Sequence, residues 1–166
     1  MKTTQRTMIL IIVLLSTMFL SAQIRFINKE YGMGSIALDP HASVKEKGID
    51  IVNTITLVSY WKYISISVQS FTALDGGYLD IAGTFGTNIT SGYFNQWRGY
   101  TGLRLGFINR GNYIYPLTGL EGGLQYNIGK IFIGGKGTVD YRSDYKFSGA
   151  DAKWRESFYI EIGTKF

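Results

Sequence analysis

The chain has 166 residues, a formal net charge of +5 and no cysteine, and it is rich in glycine (21) but poor in proline (2). The lack of cysteine excludes disulfides, thiolate metal sites and thiol redox chemistry. Lys and Arg are scattered without a cluster, so the charge does not predict a nucleic-acid partner. Abundant glycine and aromatic residues favour strands and tight turns over helices.

The N-terminus has the features of an export signal. Two basic residues precede an apolar run of thirteen residues (8–20), and the small pair Ser21-Ala22 follows it. The run is shorter than the roughly 20 residues of a membrane-spanning helix. We predict a signal peptide over 1–22 and one exported domain over 23–166. An uncleaved membrane anchor is the alternative, because Leu20 is not the small residue preferred at its cleavage position.

Period-two alternation of apolar and polar residues predicts eight strands in the exported domain. They cover 30–38, 49–60, 62–73, 77–87, 97–108, 117–127, 130–141 and 155–166. Their lengths suit tilted strands that cross a bilayer, which need about 9–11 residues.

The predicted connections alternate between the two ends of such a structure. Those on the outward side would be 39–48, 74–76, 109–116 and 142–154. Those on the periplasmic side would be near Trp61, at 88–96 and at 127–130.

Aromatic residues near the strand ends predict two rings of aromatic side chains, one at each end of the structure. The periplasmic ring would hold Tyr60, Trp61, Tyr63, Tyr93, Phe94, Trp97, Tyr126 and Phe166, and the outward ring Phe71, Tyr78, Phe107, Tyr113, Tyr115, Tyr141 and Phe158.

The last strand carries the sharpest motif. Phe158, Ile160, Ile162 and Phe166 fall on one side of it, and the chain ends on that aromatic. This strand resembles the C-terminal signature of bacterial outer-membrane β-barrels, in which the last strand is read by the barrel-assembly machinery. The size and strand pattern are similar to the small eight-stranded barrels of the OmpA/OmpX type.

That resemblance implies an all-β, eight-stranded, antiparallel, up-and-down transmembrane β-barrel in the outer membrane of a Gram-negative envelope. It implies a structural or surface-interaction role without enzymatic activity or cofactor. The implied partners are outer-membrane lipids, the assembly machinery during biogenesis and an extracellular partner reached through the outer loops. A periplasmic lipocalin-like barrel that binds a lipid or other apolar ligand is the alternative, since alternation alone does not say which face is inside.

The polar strand faces favour the membrane interpretation. They are rich in glycine and sparsely charged, which fits the crowded interior of an eight-stranded barrel, and we expect no charge on the opposite face of strands two to eight. We hypothesise that Arg104, Glu121, Lys136 and Glu161 form a charge network that closes the lumen, because unpaired buried charges are costly. The alternative is that these charges line solvated strand ends.

Few residues suggest chemistry. His41 is the single histidine and lies near Asp39 and Ser43, but a lone loop histidine is usually solvated, so we predict neither a catalytic nor a metal site. In the predicted loop 142–154, Tyr145, Phe147 and Trp154 are candidate surface-contact residues, because aromatic residues mixed with charges are typical of binding patches.

Overall fold

A computed structural model describes residues 30–45, 48–73, 77–91, 96–148 and 153–166. The predicted signal peptide, 1–22, lies outside the described residues. The strands are β1 (Tyr31–Leu38), β2 (Gly48–Ser59), β3 (Lys62–Ala73), β4 (Tyr78–Ser91), β5 (Trp97–Arg110), β6 (Tyr113–Ile128), β7 (Ile131–Arg142) and β8 (Lys153–Lys165). A short helix α1 (Pro40–Lys45) follows β1, and a 3-10 helix (Ser143–Ser148) follows β7.

The strands form a closed barrel. Each strand pairs antiparallel with its neighbours in chain order, and β8 pairs with β1. The predicted eight-stranded antiparallel up-and-down barrel is therefore confirmed. One circuit of the ladders displaces the register by about ten residues, the kind of stagger that tilted strands need for closure. The β1–β8 seam has six residue pairs, whereas β5 and β6 share fourteen.

Two connections are shorter than predicted. The expected loop 109–116 is wrong, because β5 and β6 continue to a two-residue turn, Gly111-Asn112, in which Gly111 has a φ of 63°. Glycine adopts this left-handed conformation without a steric penalty. The connection predicted at 88–96 shrinks because β4 runs on to Ser91.

The two barrel ends differ. We call the end with the turns 60–61 and 129–130 and the C-terminal Phe166 the terminal end, and the opposite one the loop end. At the loop end, Asp39 Oδ1 accepts hydrogen bonds from the N–H groups of His41 (2.9 Å) and Ala42 (3.0 Å), which caps α1 directly before Pro40.

Among the described residues, no helix is long and apolar enough to cross a membrane, a finding that concerns helices alone.

Helix α1 covers part of the loop end. Ala42 is 2% exposed and packs in an apolar cluster with the inward-facing side chains of Phe71, Tyr78, Ile108 and Leu117. Since Ala42 is held by the cap at Asp39, the start of the β1–β2 connection is fixed onto the loop end of the barrel.

Alternation assigns the strand side chains to two opposite surfaces. Large apolar side chains on the outward surface are exposed by about half. Examples are Ile55 64%, Ile66 61%, Phe85 53%, Leu105 55%, Leu120 52% and Ile160 60%. The inward surface holds buried polar and charged groups, which include Asp50, Asp80, Arg98, Arg104, Lys136, Asp140 and Glu161. Water-soluble proteins have the reverse distribution.

Three sequence expectations need correction. Lys62 and Glu156 face outward and are exposed, so the outer face is not free of charge, although both lie near strand ends. Of the ring predicted at the periplasmic side, Tyr63 is inward and buried. Phe71 and Tyr78, which were predicted in the aromatic ring at the opposite end of the barrel, also point into the barrel and are buried. These residues occupy inward-facing positions in the alternation of their strands. That alternation, and not their nearness to a strand end, decides which way their side chains point.

Candidate functional site: the charged barrel interior

Arg104 lies at the centre of the interior, from the middle of β5. Its side chain is fully buried, and its guanidinium is 3.2 Å from Asp140 Oδ1, 3.5 Å from Glu121 Oε2 and 4.0 Å from Asp80 Oδ1. We call these four residues the central cluster. One cation facing three carboxylates in a water-poor interior is a strongly coupled arrangement, because charge interactions are weakly screened there.

A missing side chain lets this cluster assemble. Arg104, Gly119 and Asp140 occupy one register row on β5, β6 and β7, so Gly119 lies between the two charges. A Cβ on Gly119 would be 2.2 Å from Asp140 Oδ1 and 2.6 Å from the Val139 carbonyl oxygen. The Asp140 carboxylate thus reaches the Arg104 guanidinium across β6, which has no side chain at Gly119.

A second row repeats this device with an aromatic ring. Tyr63, Gly86, Gly102 and Glu121 are register partners across β3, β4, β5 and β6. The tyrosine lies over both glycines, since a Cβ on Gly102 would be 2.6 Å from its hydroxyl oxygen. That hydroxyl donates a hydrogen bond to Glu121 Oε1 at 3.1 Å. Glu121 therefore forms an ion pair with Arg104 through Oε2 and accepts a hydrogen bond from Tyr63 through Oε1.

Glu161 belongs to a neighbouring hydrogen-bonded group nearer the terminal end. It accepts hydrogen bonds from Ser35 Oγ (2.6 Å), from Gln125 Nε2 (2.8 Å) and from the Tyr100 hydroxyl (3.3 Å). Gln125 reaches it across Gly134, its register partner on β7. This carboxylate is satisfied by neutral donors, unlike the carboxylates around Arg104.

The four residues predicted as a network are all buried, but they do not form one set of direct bonds. Arg104 and Glu121 are ion-paired. Lys136 is fully buried, and its Nζ makes no hydrogen bond to the described residues; it lies 5.6 Å from the centre of the Tyr159 ring. Lys136, Glu121 and Glu161 line a shared cavity of about 10 Å³, a space on the scale of one water molecule.

Sequence reasoning missed several members of this interior. The predicted charge network did not include Asp80 and Asp140, and Tyr63 was predicted in the periplasmic ring of aromatic residues. The signal that could have found Tyr63 is its phase, which is that of Ser65, Ser67 and Gln69 and not of Ile64, Ile66 and Val68. The partners of Arg104 depend on the register of three strand pairs, and that register cannot be read from the sequence.

A separate ion-paired group, the loop-end cluster, contains Arg110, Arg142 and Asp144. Arg142 donates two hydrogen bonds to the Asp144 carboxylate (2.8 and 2.9 Å), and Arg110 Nη1 lies 3.2 Å from it. Burial raises the pKa of Asp144, but the Arg142 hydrogen bonds and the charges of both arginines outweigh burial, so the pKa falls below its usual 3.8. The two arginines thereby fix the start of the 3-10 helix.

Of the three residues predicted as a surface-contact site, the structure describes the side chains of Tyr145 and Trp154. Tyr145 is half-buried, with its ring 5.6 Å from the Arg142 guanidinium carbon. Trp154 is 60% exposed on the outer wall, where it packs edge-on against Tyr141 at 5.5 Å. The side chain of Phe147 lies outside the described residues.

Of the predicted assembly signal, Phe158, Ile160 and Ile162 lie on the outer face of β8, and Phe166 follows directly after that strand. Phe158, Ile160, Ile162 and Phe166 are 58%, 60%, 58% and 72% exposed. Phe166 exchanges two backbone hydrogen bonds with Gly32, each 3.0 Å long. Its ring covers that glycine, because a Cβ there would be 2.2 Å from a ring carbon.

His41 is exposed on α1 and belongs to neither charged cluster. The side chain of Ser43 lies outside the described residues. Within the described ranges, no three His, Asp or Glu side chains are grouped to hold a metal ion.

Comparison with known proteins identifies the fold. The chain matches no protein-family model and no curated protein sequence. It is similar to a solved chain described as "De novo design of transmembrane beta-barrels", with a TM-score of 0.50 and 12% sequence identity, over 87% of this chain and 100% of that chain. At this identity the likeness concerns the fold alone. No matching family supports the OmpA/OmpX-type assignment.

Proposed function

We propose that the chain is a non-enzymatic outer-membrane β-barrel with a closed polar lumen and a structural or surface-interaction role. The observation that carries the proposal is the inverted distribution of side chains, with charged groups buried inside and apolar groups exposed outside. In water, such an outer surface would be a very large exposed apolar patch. In a bilayer, the same surface contacts hydrocarbon, and the closed ladder satisfies every strand without a free edge.

The dimensions agree with this proposal. Strands β2 to β8 have 12–16 residues, whereas a tilted strand needs about 9–11 to cross the hydrocarbon region. Outward aromatic pairs lie near both ends, Trp97 with Tyr126 at the terminal end and Tyr141 with Trp154 at the loop end. Aromatic residues at both interfaces are typical of membrane barrels. The likeness to designed transmembrane barrels supports the same environment.

The closed lumen is argued from the central cluster and its neighbours. Arg104, Lys136 and Tyr159 are among the largest fully buried side chains of the interior, and the cavity that Lys136 lines with Glu121 and Glu161 is only about 10 Å³. A hydrated ion needs a much wider path than one water molecule. We therefore expect purified protein in planar bilayers to show little conductance, and large steady channels would contradict the closed lumen.

The lipocalin-like alternative requires the opposite arrangement, an apolar cavity inside and a charged surface outside. The described residues do not favour it. The loop end, where α1 and the 3-10 helix lie, is the surface that would face outward and meet an extracellular partner.

The deciding experiment compares heated and unheated samples of membrane and soluble envelope fractions on SDS gels. A heat-shifted band confined to the outer-membrane fraction is expected, because a closed barrel resists detergent until it is heated. A soluble band without a shift would overturn the proposal. Mass spectrometry of the same band would test cleavage after residue 22.

A further inference from the structure

Asn53 is an unusual residue on the outer face. It is the sixth residue of the twelve-residue strand β2, faces outward and is exposed. Its register partners are Ile36 on β1 and Val68 on β3, both of which are exposed apolar residues. Its side-chain amide makes no hydrogen bond to the described residues. A fully polar side chain thus lies halfway along the apolar wall.

Two outward threonines satisfy their hydroxyl donors locally. The hydroxyl of Thr101 donates a hydrogen bond to the Glu121 carbonyl oxygen at 3.1 Å, and that of Thr164 to the Lys165 carbonyl oxygen at 3.5 Å. The asparagine amide has two donors and an acceptor. In hydrocarbon no water replaces the missing partners, so exposing the amide to lipid chains is unfavourable.

The wall around Asn53 is concave. A groove of about 780 Å³ runs over β8, β1, β2 and β3, and Asn53, Gly34, Ile36, Ile55 and Ile66 are among its lining residues. Gly34 leaves the floor open, because a Cβ added there would meet only a Phe166 ring carbon at 3.9 Å. Small residues permit close approach of two chains in a membrane, where association depends on packing and interchain hydrogen bonds.

We propose that this groove is the interface between two copies of the chain, with the two Asn53 amides hydrogen-bonded to each other beside a two-fold axis. The inference rests on the membrane placement proposed above. A two-fold interface brings the same residue of both copies together, and an amide is complementary to itself because it both donates and accepts. A lipid acyl chain could fill the groove but offers the amide no hydrogen bond.

The first test uses the natural absence of cysteine. In outer membranes treated with Cu(II)-phenanthroline, Asn53→Cys is expected to give a disulfide-linked dimer that reductant dissolves, because the two Cβ atoms would lie near the axis. The matched control is Leu120→Cys, at the middle of β6 on the opposite side of the barrel, exposed by 52%. Cross-linking of neither variant, or of both equally, would overturn the proposed interface.

The second test measures whether the amide contributes. In density-matched detergent, sedimentation equilibrium should show a dimer for the wild-type chain, with a dissociation constant that rises roughly tenfold in Asn53→Leu. Asn53→Gln should restore most of the affinity, since it keeps the donors and acceptor. Equal affinity of wild type and Asn53→Leu would overturn the amide pairing.

The two proposals fail in different ways. A heat-shifted barrel in the outer-membrane fraction that sediments only as a monomer would overturn the dimer and leave the membrane placement intact. A protein found only in the soluble fraction would overturn the membrane placement, and with it the reason for pairing Asn53.

Discussion

The central cluster and the loop-end cluster use the same arginine–carboxylate chemistry in different surroundings. At the centre, one arginine faces three carboxylates at 3.2–4.0 Å, and the most exposed of these side chains is only 7% accessible. At the loop end, two arginines face one carboxylate at 2.8–3.2 Å, and Arg110 is 22% accessible. The shortest contacts join Arg142 and Asp144, whose side chains are only 2% and 0% accessible, so the carboxylates of both sites are buried. The two sites differ in the number of cations for each carboxylate and in the partial accessibility of Arg110.

This difference indicates that the number of cations at a carboxylate, and not the contact distance, decides how strongly each site responds to the loss of one arginine. A buried charge that loses its partner stays in a medium of low polarity, whereas an accessible one is solvated and screened. The central cluster should therefore respond strongly to the loss of its single cation. The loop-end cluster keeps Arg142 on Asp144 when Arg110 is lost, so it should respond weakly to that loss and mainly in its own segment.

The largest effect is expected for Arg104→Met. It leaves Asp80, Glu121 and Asp140 without their cation, and breaking a buried ion pair in this way destabilises proteins by about 3–5 kcal/mol. Urea unfolding in lipid vesicles, followed by tryptophan fluorescence, measures the free energy. The matched variant is Arg110→Met, for which a loss of less than about 1 kcal/mol is expected. Equal losses would remove the distinction between the clusters.

Gly119→Ala tests how the central cluster is assembled. The new Cβ would lie 2.2 Å from Asp140 Oδ1 and 2.6 Å from a backbone oxygen, so it should displace the carboxylate and reduce stability by about 1–3 kcal/mol. The control is Gly137→Ala, because a Cβ there would meet only backbone oxygens at 3.8 and 3.9 Å. The same unfolding measurement applies, and a neutral Gly119→Ala would contradict the role of that row.

Tyr63→Phe sharpens the account of Glu121. It removes the hydroxyl that donates to Oε1 at 3.1 Å but keeps the ring over the two glycines. We expect a loss of about 1–2 kcal/mol, since a buried carboxylate loses a donor. Tyr60→Phe, at a residue 56% exposed in the 60–61 turn, should change the free energy of unfolding little. Similar losses for both variants would mean that the hydroxyl contact is not specific.

The smallest effect is expected at Asp144 and depends on pH. Its pKa is lowered in the folded protein, so its contribution is present above the ordinary value of 3.8 and is lost as pH falls through the lower folded value. As the pH is lowered from neutral to below 3.8, hydrogen exchange at residues 143–148 should rise before the barrel strands respond. In Asp144→Asn this rise should disappear. An unchanged profile would exclude the carboxylate as its cause.

Local pattern was sufficient for much of the fold. Period-two alternation predicted eight strands, and each observed strand overlaps its predicted range, as at 62–73 and Lys62–Ala73. Strand ends were less certain, as β5 and β6 show, because the last pairs of a hairpin depend on the partner strand as well as on local sequence. The outward set Phe158, Ile160, Ile162 and Phe166 also followed from alternation alone.

The sequence by itself determined which side chains share a surface, because successive strand residues point to opposite faces. Only the tertiary structure decided which of them meet. Arg104 finds Asp140 across Gly119, and Tyr63 finds Glu121 across two glycines, through registers set by several ladders at once. Closure with a displacement of about ten residues fixes those registers together, and no single strand carries that information.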